Sequence, residues 1–68
     1  MNYINVESSN IEKIAYENNN LYVGYKGGGV YKYLDVSSEK YNEFLNAESK
    51  GRYLNSAIKE SYKYEKVK

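Results

Sequence analysis

The 68-residue chain has no cysteine, histidine, proline or tryptophan, and a single arginine. Without cysteine or histidine there are no disulfides, no zinc sites built on sulfur or imidazole, no cysteine nucleophile and no histidine acid/base pair. Tyrosine aside, no apolar run exceeds two residues, which is far short of a membrane span. No basic-then-apolar leader is visible, so a cytoplasmic location is expected. Charge of one sign is also missing: ten Lys plus Arg against nine Asp plus Glu leave a net +1, too little to draw in a long polyanion.

Several residue types are abundant. Ten Tyr, nine Lys, nine Asn and four Ile make up nearly half the chain. All four have A/T-rich codons, so their number says little about function, whereas the placement of particular tyrosines can. The length fits one small domain over residues 1–68. Such a chain buries only about 60% of its unfolded surface, so a staple is expected. With disulfides and metals excluded, self-association into a homo-oligomer is the remaining one.

The patterning predicts an α+β fold, a three-stranded antiparallel meander covered by two C-terminal helices. Ile11 to Tyr16 runs into Asn18-Asn19-Asn20, residues that tolerate the left-handed backbone of a tight turn. Leu21 to Lys26 alternates and leads into Gly27-Gly28-Gly29, a second reversal. Val30 to Val36 alternates again, with Val30, Lys32, Leu34 and Val36 opposing Tyr31, Tyr33 and Asp35. Tyr3 to Val6 is a candidate short edge strand. Ser37 or Ser38 can cap a helix carrying Tyr41, Phe44 and Leu45 on one side. A second helix follows Ser49-Lys50-Gly51, with a stripe through Tyr53, Leu54, Ala57 and Ile58. Tyr62 to Lys68 reads as a charged, frayed end. The expected core is Leu21, Val23, Leu34, Val36, Phe44, Leu45, Leu54 and Ile58.

Read together, Ser9-Asn10-Ile11, Ile14-Ala15-Tyr16, Leu21-Tyr22-Val23 and Val30-Tyr31-Lys32-Tyr33-Leu34-Asp35-Val36 resemble the KTSC domain, named for the lysyl-tRNA synthetase C-terminus. Ala47-Glu48-Ser49-Lys50-Gly51-Arg52-Tyr53-Leu54-Asn55 and then Ile58 resemble its second signature. The likeness runs from about Val6 to Tyr62. Ser37 stands where the family usually has Pro, and Lys63 follows the final Tyr where Pro is frequent. The resemblance implies a stand-alone member of a family found as a synthetase appendage or as small bacterial and phage proteins. Its role is unassigned, with RNA binding suggested.

Two segments could carry binding chemistry. Tyr31 and Tyr33 project from one strand face and could stack bases, at roughly 1–3 kcal/mol each, with Lys32 beside them. The alternative is that they pack in the core or an interface. Lys50 and Arg52 flank Gly51 at a helix start, where backbone N–H groups and a guanidinium favour a phosphate, with Tyr53 and Asn55 next in line. The alternative is a solvated cap, Arg52 pairing with Glu48 or Asp35. Gly27-Gly28-Gly29 lacks the context of a P-loop, so a hairpin turn is the reading preferred over a phosphate nest. Ser8-Ser9-Asn10 can line a site or simply turn the chain.

Catalysis finds no support, because Glu39 and Glu43 sit on a solvated helix face and no serine has a histidine partner. No cofactor and no metal ligand set is expected. The reading is a non-catalytic homo-oligomer that binds a small nucleotide-like or phosphate-bearing ligand through Tyr31, Lys32, Tyr33, Lys50, Arg52, Tyr53 and Asn55. Sensing or sequestration, as by a phage-type sponge, is the expected use. Single-stranded RNA and a ligand-free structural or protein-interaction module are the alternatives.

Overall fold

The computed structural model describes all residues from Met1 to Lys68. Five strands form one antiparallel sheet in chain order: β1 (Ile4–Asn5), β2 (Ile11–Glu17), β3 (Asn20–Tyr25), β4 (Val30–Tyr33) and β5 (Tyr64–Lys66). Helix α1 (Ser38–Asn46) and the short α2 (Lys50–Tyr53), which runs directly into a π-helical turn over Leu54–Ile58, lie between β4 and β5. The α+β class and the helix-covered sheet agree with the sequence, but there are five strands rather than three.

Both extra strands are edges. β1 is the short pairing anticipated near Tyr3 to Val6, with Ile4 opposite Ile14. β5 occupies the segment read as frayed. Tyr64 pairs with Tyr33 and Lys66 with Tyr31, and the Leu34 N–H donates to the Lys63 carbonyl at 2.8 Å. Three charged and polar residues give no alternation to read. Their order comes from the unpaired edge that β4 offers them.

The turns form for legible reasons. Asn18 and Asn19 have φ of 54° and 63°, the paired left-handed residues of a two-residue hairpin. Gly28 and Gly29 take φ of 119° and 88° in the next reversal, which a residue with a Cβ rarely adopts. Ser37 caps α1, accepting from the Lys40 N–H at 3.1 Å, so the serine at the family's usual proline position has its own function. Ser49 caps α2 through the Arg52 N–H at 3.3 Å.

Nine side chains form the buried core: Ile11, Ile14, Leu21, Val23, Tyr33, Val36, Phe44, Leu54 and Ile58. Leu34 and Leu45, expected among them, are only half-buried. Ile11 and Ile14 went unpredicted because their spacing of three does not fit a strand. A register irregularity between Ile11 and Lys13 shifts the phase and brings both to the core. The third expected strand is inverted. Leu21 pairs with Tyr33 and Val23 with Tyr31, so the two tyrosines, not Lys32 and Leu34, share the helix-covered face. Val36 reaches the core by another route, since β4 has ended and Asp35, with φ of 61°, turns the chain beneath α1.

Candidate ligand-binding site

A cavity of about 300 Å³ opens on the helix-covered face, lined by Tyr25, Gly28, Tyr31, Tyr33, Lys59 and Tyr64. Four elements supply its walls. Tyr25 comes from β3, Tyr31 and Tyr33 from β4, and Tyr64 from β5, while Lys59 leaves the end of the π turn. The rings hold one another at angles. Tyr25 and Tyr31 meet edge to face at 5.6 Å between centroids, Tyr31 and Tyr64 are tilted at 5.7 Å, and Tyr33 and Tyr64 at 5.8 Å. Such edge-to-face and tilted contacts are favourable and leave π-faces open.

Tyr33 is 1% exposed, and its hydroxyl shares a hydrogen bond of 2.9 Å with that of Tyr25. Burial raises both hydroxyls above the ordinary tyrosine range. The shared bond pushes Tyr25 further up and partly offsets the effect on Tyr33. Both therefore stay protonated at neutral pH, so the pair keeps one O–H free to donate to a third group. The Lys59 ammonium lies 6.0 Å from the Tyr25 ring centre, at the outer reach of a cation–π contact. No carboxylate lines the cavity. The result is an aromatic box with hydroxyl donors and one cation. It can take a flat molecule bearing a negative group, and it holds no acid/base or nucleophilic pair.

Of the residues singled out in the sequence, Tyr31 and Tyr33 line this cavity, and Tyr33 is too enclosed to serve as a stacking surface. Lys32 points to the opposite sheet face, across from Glu65 and 5.9 Å from the Tyr22 ring centre. Lys50, Arg52, Tyr53 and Asn55 are likewise absent from the cavity walls. Arg52 is exposed and enters no ion pair, so the bridge to Glu48 or Asp35 weighed as the alternative does not form. The Tyr53 hydroxyl donates to Glu43 Oε1 at 2.6 Å, and that bond, with Lys40 at 3.5 Å, holds the Glu43 carboxyl below its usual range. The seven residues grouped from sequence are thus not brought together in this cavity.

Two segments read separately do meet. A Cβ on Gly51 would lie 2.7 Å from Asn10 Oδ1 and 3.5 Å from Ser8 Oγ, so the Ser8–Asn10 turn closes directly onto the start of α2. Ser8 Oγ also accepts from the Ile11 N–H at 3.3 Å. This explains the glycine between two cations as a packing contact.

Tyr25, Gly28, Lys59 and Tyr64 were missed. Tyr25 carried a signal, since it shares a face with Leu21 and Val23, but the triple glycine hid the register that sets Tyr31 beside it. No group of three His, Cys, Asp or Glu side chains is placed to hold a metal, and no helix is long and apolar enough to cross a membrane.

Comparison with known proteins agrees with this architecture. A crystal structure of a KTSC domain protein from Yersinia pestis superposes with a TM-score of 0.94 at 32% identity, covering 98% of this chain and 97% of that one. A Tsukamurella paurometabola protein is 37% identical over 60 residues, 85% of this chain and 90% of its own length. The KTSC domain family model matches residues 7–62, from the turn before β2 to two residues before β5. With a sheet, caps and glycine contact that account for the motifs in that span, the chain belongs to the KTSC domain family.

Proposed function

We propose that this KTSC domain is a non-catalytic binding protein whose tyrosine cavity takes a small nucleotide-like or phosphate-bearing ligand, for sensing or sequestration. The observation that carries this reading is the enclosure of about 300 Å³ by four tyrosines and one lysine with no carboxylate among them. A cationic ligand would meet Lys59 without a counter-charge. A flat anionic one would meet ring faces, a hydroxyl pair and an ammonium. Homo-oligomer formation belongs to the same proposal. The large exposed apolar side chains, Met1, Ile4, Tyr64 and Val67, lie in or next to the two edge strands, where sheets join.

Calorimetric and thermal-shift titration with nucleotides tests the reading. A ligand at about a hundred times its Kd stabilises the fold by about 2.7 kcal/mol. Tyr31→Ala is expected to remove that gain and Lys59→Ala to cut it by about half, while the free proteins stay folded. Unchanged binding in both variants would refute the site. A single species at monomer mass in sedimentation would refute the oligomer.

The RNA reading has one observation in its favour. On the open sheet face Lys13 sits 4.9 Å from the Tyr3 ring centre and Lys32 5.9 Å from that of Tyr22, and the two rings meet edge to face at 6.5 Å. Single-stranded oligonucleotides binding there would lose affinity steeply with salt. Flat titrations at low salt would end that reading.

A further inference from the structure

The π turn has a consequence for what the cavity can bind. π-Helical residues are well under 1% of protein structure, and single π turns gather at functional sites. Here the Lys59 N–H donates to the Leu54 carbonyl, five residues back, at 2.7 Å. Leu54 is 1% exposed and faces the sheet. At about 100° per residue an α-helix would place Lys59 about 140° around the axis from Leu54, on the flank. The wider π turn, at about 82° per residue, brings it within about 50° of Leu54. The side chain then leans over Tyr25 and becomes the only charged residue of the cavity wall.

We infer that the π turn sets the ligand class: by carrying Lys59 to the sheet side it gives the tyrosine cavity its one lining cation, which selects a planar ligand bearing a phosphate or carboxylate over its neutral counterpart. This rests on the binding reading above and adds to it the identity of the selecting residue. Two features support it. The tyrosines alone would accept a neutral ring. Lys59 is the one cation among the lining residues, while Lys66, opposite Tyr31 and packed beside Gly29, stands at the rim.

The test is a set of affinity ratios. The four ribonucleosides and their 5′-monophosphates are titrated against the wild-type protein, Lys59→Met and Lys59→Arg. Benzoate against benzamide makes the same comparison for a carboxylate. The wild type is expected to prefer an anionic probe over its neutral partner by about tenfold, the scale of one charge-assisted hydrogen bond. Lys59→Met erases the preference while keeping binding of the neutral ring, and Lys59→Arg retains it. A preference that survives Lys59→Met overturns the inference and leaves the cavity reading standing. Failure of every probe to bind the wild type overturns both.

Discussion

The two ends of the helical layer use the same side chains to different effect. Around the cavity, tyrosines and Lys59 meet with no carboxylate between them, so hydroxyls pair with each other and the ammonium rests against a ring. At the α1–α2 corner, Tyr53 and Lys40 both converge on Glu43, which satisfies the hydroxyl at 2.6 Å and the ammonium at 3.5 Å. One carboxylate converts a potential binding surface into a closed structural contact. Residue type marks neither place as a site. What differs is whether the polar groups already have a partner.

The largest effect expected from breaking this comparison is on the cavity side. Tyr33→Ala removes a buried ring from the core and should cost about 3–5 kcal/mol, enough to unfold much of a domain this small. Tyr33→Phe keeps the ring and loses only the hydroxyl pair, about 1 kcal/mol. Urea melts of the two variants check this, and equal losses would mean that the hydroxyl pair, not the ring, holds the cavity floor.

Next comes the corner. Gly51→Ala forces a Cβ to 2.7 Å from Asn10 Oδ1 and should destabilise by about 1–3 kcal/mol, as over-packing does. Asn10→Ala in the same chain should recover part of that loss, a coupling that a double-mutant cycle reads directly. Additive losses would show that the two turns do not press on each other.

The smallest effect is a pH dependence. The Glu43 carboxyl is held below its unbonded value of 4.5, first by the Tyr53 hydroxyl and then by Lys40. A depressed folded pKa contributes stability above the unfolded value that is lost as pH falls through the folded one. Tyr53→Phe should therefore lower stability slightly at neutral pH and converge with the wild type at acid pH, flattening the profile below about pH 4.5. A profile identical to wild type would show that the Tyr53–Glu43 contact does not persist in solution.

The sequence revealed what local chemistry determines. Asn18-Asn19 announced its turn, Ser37 and Ser49 their caps, and Phe44, Leu54 and Ile58 their shared face. It misled where two readings of one alternation were equally apolar. From Val30 to Val36 either face carries large hydrophobic side chains, and only the pairing of Leu21 with Tyr33 selects one. Ile11 and Ile14 were hidden by an irregularity that no strand period contains. The cavity was the least legible feature, because residues from Tyr25 to Tyr64 build it and its cation depends on a helix register that composition does not encode. Lys50 and Arg52 drew attention by being cations at a helix start. The cavity is lined by Lys59 instead, an exposed residue in an unremarkable run.

The ring cluster of β3, β4 and β5 also gives the protein a built-in optical reporter. With no indole anywhere in the chain to drain the excitation of its ten phenols, ultraviolet emission comes from tyrosine alone, four of which wall the cavity. A planar guest sliding between them would quench a large share of that light, so occupancy can be followed without attaching a dye.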